Sequence, residues 1–172
     1  RALAENLVIF FRDQPITPEQ HLAFGRLFGD LHFHPAAPSI EGHPELLKNY
    51  AAKDSPRAIG EEWHSDVSCE PEPPMGSILH INQCPPRGGD TLFANMYAAY
   101  EALSPAMRRL LEPLRAINSS ALADVSKTRE DRLRDDGGVP GAARLYEASH
   151  PVVRTHPETG RKALYVNVAH SA

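Results

Sequence analysis

The chain is 172 residues long, 41% hydrophobic and 23% charged, with a formal net charge of −4. That is enough chain for one domain with a sizeable core, and it carries no broad basic field for nucleic acid. No apolar run approaches the ~20 residues of a membrane span, and two cysteines, Cys69 and Cys84, make neither a disulfide framework nor a zinc knuckle.

A reducing cytoplasm is therefore the expected compartment. Sixteen prolines and eleven glycines predict many turns and short strands rather than a helical bundle. Arg1-Ala2-Leu3-Ala4 reads as the tail of a helix, and Val168 to Ala172 follows a strand with nothing to close it. The expectation is a single domain over 1–172, incomplete at both ends.

Leu7-Val8-Ile9-Phe10-Phe11 is a short apolar run, β-branched and aromatic, and predicts a buried strand. Thr17, Pro18 and Gln20 then spell a helix start with a capping box. Leu22, Phe24, Leu27 and Phe28 form its apolar stripe, and Gly29 is the expected stop. His32 and His34 share a face if extended; the residues alone suggest a surface strand with two solvated imidazoles. Leu46 to Tyr50 predicts a strand, and the polar stretch from Ala51 to Glu62 predicts a mobile loop or lid.

Glu62-Trp63-His64-Ser65-Asp66-Val67 carries the chemistry. Read as a strand, it points His64 and Asp66 the same way. An imidazole and a carboxylate then share one wall. One further His would complete a 2-His-1-carboxylate face, the ligand set suited to non-haem Fe(II). Trp63 and Ser65 would face the other way and pack. His-x-Asp alone is a weak signal, since polar strand residues are more often solvated than ligating.

Glu70 to Pro74 reads as a rigid connector. Gly76 to Gln83 alternates as a strand would, Pro85 to Asp90 makes a turn, and Thr91 to Ala94 predicts another strand. The Gly88-Gly89 pair lacks the spacing of a phosphate loop. Met96 to Leu103 predicts a helix; Ser104 and Pro105 start a second, with Met107, Leu110, Leu111 and Leu114 on its apolar side. Ala116-Ile117-Asn118 opens a strand. Residues 121–145 are charged and Gly-rich and predict a solvated excursion or lid. His150 to Arg154 and Ala163 to Val168 predict two strands joined through the turn Pro157-Glu158-Thr159-Gly160. Short strands, proline-rich corners and outlying helices together predict a mainly β fold with flanking helices (α+β), a jelly roll.

Several stretches in one order resemble a known family. They are Phe10-Phe11-Arg12-Asp13-Gln14, Phe24 to Gly29, Trp63-His64-Ser65-Asp66-Val67, Pro73-Pro74-Met75-Gly76, Gly88-Gly89-Asp90-Thr91-Leu92-Phe93, Ala99 to Ser104, and His150-Pro151-Val152-Val153-Arg154-Thr155-His156-Pro157. Together they resemble the taurine dioxygenase and 2,4-dichlorophenoxyacetate dioxygenase family of Fe(II)/2-oxoglutarate-dependent enzymes. The resemblance implies a double-stranded β-helix (jelly roll), here truncated at its C-terminal end. It implies Fe(II), 2-oxoglutarate as co-substrate and O2, with succinate and CO2 as products.

Carried over by position, His64 and Asp66 resemble two iron ligands, and Thr91 resembles the residue whose hydroxyl contacts a 2-oxoglutarate carboxylate. His34 resembles a substrate-holding histidine, and His170 falls near a pocket aromatic of the family. Ala37 and Gly60 depart from the taurine enzyme's tyrosine and asparagine; these departures bear on the substrate, not on iron or co-substrate. The family's third iron-ligating histidine and its 2-oxoglutarate arginine lie beyond residue 172, and His150 and His156 do not replace them.

The implied activity is an oxidoreductase hydroxylating a small anionic organic substrate, a sulfonate, sulfate ester or aryloxyalkanoate. The alternatives are a non-catalytic jelly-roll binding module and a zinc hydrolase using the same ligands. A homo-oligomer is expected, with no nucleic-acid or membrane partner.

Overall fold

The structure, a computed structural model, describes residues 1–34, 39–52, 60, 62–120 and 146–172. The expectations for residues 121–145, and for most of the loop from Ala51 to Glu62, lie outside the described residues. The chain divides into two compact units. The first comprises Arg1–Ile16, Ile78–Arg115 and Pro151–Tyr165; the second comprises Thr17–Ser77, Ala116–His150 and Val166–Ala172. Among the described residues the architecture is mixed helix and sheet, and no helix is long and apolar enough to cross a membrane.

In the first unit, α1 (Ala2–Asn6) ends where Leu7 takes a left-handed φ of 68° and its N–H returns to the Leu3 carbonyl. The predicted strand over Leu7 to Phe11 does not form, since the run carries no ladder. The run stays open to solvent, with Phe11 63% exposed. Phe10 packs edge-on against Phe93, with ring centroids 6.0 Å apart. The predicted strands at Gly76 to Gln83 and Thr91 to Ala94 also carry no ladder, and Leu92 is 70% exposed. An alternating pattern specifies two faces; it does not supply the neighbouring chain that a strand must bond to.

The predicted helices of this unit do form. In α3 (Met96–Glu101) the Asn95 side chain caps the N–H groups of Tyr97 and Ala98. In α4 (Pro105–Leu111) Ser104 caps the Met107 N–H, and Pro105 sits where a missing N–H costs nothing. Tyr97 and Tyr100 are buried, so the core here is aromatic. The antiparallel hairpin β5 (Val153–Thr155) and β6 (Lys162–Leu164) packs on α3. Its turn uses Gly160 at φ 67°, a backbone state costly for any residue with a Cβ. Tyr100 donates to Glu112 at 2.7 Å, and Lys162 reaches the same carboxylate at 2.6 Å, tying hairpin to helices.

In the second unit, α2 (Pro18–Gly25) begins with the full capping box. The Thr17 hydroxyl accepts from the Gln20 N–H at 3.3 Å, and the Thr17 N–H donates to the Gln20 side chain at 2.9 Å. The helix stops at Gly25, ahead of the predicted Gly29, because the next turn tightens: Leu27 and Phe28 donate to the carbonyls three back. The apolar stripe splits accordingly. Leu22 is buried while Leu27 is 78% exposed.

The strand expected at Leu46 to Tyr50 lies earlier in the chain: β2 (His43–Leu47) shares only Leu46 and Leu47 with it and pairs antiparallel with β1 (Ser39–Ile40). Next, β3 (Arg115–Ser119) pairs with β4 (Glu147–Pro151), and Asn118 bridges Ser171. The core of the second unit holds Leu22, Val67, Cys69, Ala116, Ala148 and Ala169. Buried with them are polar groups: Ser68, Asn118, Ser119, His150 and His170.

Candidate metal centre

Residues Trp63 to Ser65 carry no ladder, and Asp66 to Cys69 is a turn, so the predicted strand over Glu62 to Val67 is not the scaffold. Trp63, expected to pack, is exposed for the same reason. The two side chains nevertheless meet: His64 Nε2 lies 3.3 Å from Asp66 Oδ1. The turn accomplishes what alternation was expected to do. Val67 holds φ 54°, a region costly for a β-branched side chain, and the Glu70 N–H closes the turn on the Val67 carbonyl at 3.1 Å.

Each outer atom of the pair is tied down. His64 Nδ1 lies 2.7 Å from the Glu62 carbonyl, so Nδ1 carries a proton and donates it. In the neutral ring this leaves the Nε2 lone pair facing Asp66. Asp66 Oδ2 accepts from the Ser77 hydroxyl at 2.6 Å, leaving Oδ1 to face His64. Gly60 walls the imidazole. A Cβ there would lie 3.1 Å from His64 Cε1, and the backbone holds φ 84°.

The pair is electrostatically coupled. Hydrogen bonding to Asp66 raises the His64 pKa to about 8, against a smaller opposing effect of burial and with help from the Glu62 carbonyl. The same bond lowers the Asp66 carboxyl to about 2, with burial opposing and Ser77 and the His34 charge assisting. Without a cation, a proton on Nε2 bridges the two groups.

The two side chains supply donors of the kinds that bind metal ions. One imidazole nitrogen and one carboxylate oxygen converge, and two donors on bonds of about 2.1 Å to one ion are at most about 4.2 Å apart. Their 3.3 Å spacing falls inside that limit. Among the described residues, no group of three His, Cys, Asp or Glu side chains could hold a metal ion.

The other sequence candidates are distributed as follows. His34 is half-buried in the second unit, close enough for its charge to act on Asp66. His170 is buried in the same unit; its Nδ1 has no hydrogen-bond partner. Burial lowers its pKa, the Ser119 backbone opposes this, and the His64 charge adds to the lowering. Thr91 is exposed in the first unit, after the turn in which Gly88 and Gly89 both hold positive φ. Two histidines have other work: His150 Nε2 donates to the Glu70 carbonyl at 2.9 Å, and His156 Nδ1 accepts from the N–H groups of Glu158 and Thr159.

Sequence reading assigned Ser77 no role at this site and took Gly60 only as a departure bearing on the substrate, whereas Gly60 lies against the His64 ring. No spacing rule links a serine to a carboxylate 11 residues away. The positive φ of Gly60 is a turn signal, and that signal alone does not say what the turn leans on.

Gly60→Ala is expected to weaken divalent-metal binding about 10-fold, comparable to losing a support of a ligand. The added methyl displaces the ring and the backbone resists it. Calorimetric titration with Co(II) checks this; wild-type affinity in the variant would remove Gly60 from the account.

The family model described as "Taurine catabolism dioxygenase TauD, TfdA family" matches residues 1–172. The chain is 33% identical over 180 residues to the alpha-ketoglutarate-dependent sulfonate dioxygenase of Saccharomyces cerevisiae, covering 98% of this chain and 42% of that protein. It is 36% identical over 170 residues to the alpha-ketoglutarate-dependent sulfate ester dioxygenase of Pseudomonas putida, covering 95% of this chain and 54% of that protein. The chain thus spans about half the length of these curated relatives. The crystal structure of a taurine dioxygenase from Burkholderia xenovorans matches with a TM-score of 0.69 at 33% identity, covering 94% of this chain and 50% of that one. With a family-model match running from the first residue to the last, the chain belongs to the TauD, TfdA dioxygenase family.

Proposed function

We propose that the protein to which this chain belongs is an Fe(II)- and 2-oxoglutarate-dependent dioxygenase. It hydroxylates a small anionic organic substrate, a sulfonate, sulfate ester or aryloxyalkanoate, and releases succinate and CO2. The observation that carries this reading is the 3.3 Å approach of His64 Nε2 to Asp66 Oδ1, with the outer atom of each side chain held by a hydrogen bond. His64 and Asp66 would hold the metal. When bound, ferrous ion supplies the redox chemistry with O2 and 2-oxoglutarate.

The chain's own residues do the positioning. The Glu62 carbonyl fixes the His64 tautomer, and Ser77 fixes the Asp66 carboxylate. Thr91 is assigned to a 2-oxoglutarate carboxylate through its hydroxyl. His34 and His170 are assigned to the substrate pocket: both act electrostatically on the metal-site pair or feel its charges. The unpartnered His170 Nδ1 supports this assignment, since a buried polar atom without a partner costs free energy that a bound group would recover.

The wider reading follows the same support. Residues 1–172 form part of one double-stranded β-helix domain. Exposed apolar side chains such as Phe11 and Leu92 fit a homo-oligomer. Two free cysteines fit a reducing cytoplasm.

The test is turnover by the intact protein with Fe(II), 2-oxoglutarate and a panel of such acids. Succinate is expected to form in step with the loss of at least one acid, and only when both iron and 2-oxoglutarate are present. Absence of that dependence across the panel would overturn the reading.

A further inference from the structure

We infer that Ser77 is a positioning residue that keeps Asp66 a one-oxygen ligand and thereby keeps a coordination position open. This rests on the metal-site reading above. The two oxygens of Asp66 face different partners: Oδ1 faces His64 Nε2 at 3.3 Å, and Oδ2 accepts from the Ser77 hydroxyl at 2.6 Å. A hydroxyl bond of that length to an ionised carboxylate belongs to the strong, charge-assisted class. Ser77 itself is exposed, so its hydroxyl satisfies no buried group and its removal opens no cavity. The bond therefore acts on Asp66 and on little else.

A carboxylate can bind a cation through one oxygen or through both. Asp66 is exposed enough to turn, with 53% of its side chain open to solvent. Without the Ser77 hydroxyl, Oδ2 would be free to turn toward a bound ion beside Oδ1. It would then compete there with an incoming co-substrate. Ser77 would thus act on the site through Asp66, without touching a metal itself. The hydroxyl is the active part, so threonine can replace serine and alanine cannot.

The test uses the intact protein in three forms: wild type, Ser77→Ala and Ser77→Thr. Each is loaded anaerobically with Co(II), whose visible absorbance reports coordination number, and then titrated with 2-oxoglutarate. Ser77→Ala is expected to keep its far-UV circular dichroism and thermal midpoint, to change the Co(II) spectrum, and to bind 2-oxoglutarate about 10-fold more weakly, the size of effect known for partners that orient metal ligands. Ser77→Thr is expected to restore both spectrum and affinity. An alanine variant with wild-type spectrum and affinity overturns the inference while leaving the metal site standing. So does a threonine variant as impaired as the alanine one, since the hydroxyl is then not the cause. A wild-type protein that binds no divalent metal overturns the metal-site reading and this inference with it.

Discussion

His64→Ala in the intact protein is expected to remove divalent-metal binding while leaving the fold in place. The imidazole supplies one of two donors that converge at 3.3 Å. Structural zinc sites bind with about 10–16 kcal/mol spread over four ligands, so one ligand is worth roughly 3 kcal/mol, or 100-fold and more in affinity. The fold does not depend on the ring in the same way. A third of the side chain is exposed, at 34%, and its bonds run to the Glu62 carbonyl and to Asp66 within one short segment. Calorimetric titration with Co(II) and a thermal melt check both halves. Unaltered metal affinity would remove His64 from the ligand set; a collapsed melt would make it a structural residue instead.

The wild-type protein is expected to bind Co(II) about 50-fold more weakly at pH 6 than at pH 8. A ligand imidazole must be neutral, and His64 gives up its proton only at about pH 8 because Asp66 holds the charged form. Below that pH, each unit costs tenfold. Asp66, with its pKa lowered to about 2, stays ionised throughout this range and adds no slope of its own.

Stability of the metal-free protein runs the other way. His64 is raised from 6.5, so its contribution is fully present below 6.5 and is lost as pH rises through about 8. Asp66 is lowered from 3.8, so its contribution is present above 3.8 and is lost as pH falls through about 2. Between pH 6.5 and 8 the metal-free pair therefore loosens while its affinity for a cation grows. Titrations at pH 6, 7 and 8, with melts on the metal-free protein, read both trends. A flat affinity over that range would show that no bridging proton competes with the ion.

What the sequence made legible was local chemistry. The Thr17–Gln20 capping box and the Ser104-Pro105 start could be read because a cap depends on residues three apart. The hairpin turn before Gly160 was readable for the same reason. The apolar runs at Leu7 to Phe11, Gly76 to Gln83 and Thr91 to Ala94 misled, because a strand is defined by a partner that the run does not encode.

The site divides along the same line. His64 and Asp66, read as side chains sharing one wall, do approach each other, but for a reason the structure replaces. A turn through Val67 at φ 54° brings them together, not the alternation of a strand. Nothing local marks Ser77 as the partner of Asp66, since that contact depends on how the chain returns after 11 residues. Thr91 lies in the first unit and the His64–Asp66 pair in the second, so the role proposed for Thr91 rests on the family resemblance alone.

The most direct test of the central claim is the iron content of the anaerobic intact protein and its absorbance on adding 2-oxoglutarate. The account predicts stoichiometric Fe(II), lost in His64→Ala, and a new visible band that appears only when iron and 2-oxoglutarate are both present. A protein that holds no iron, or one whose spectrum 2-oxoglutarate leaves unchanged, would contradict it.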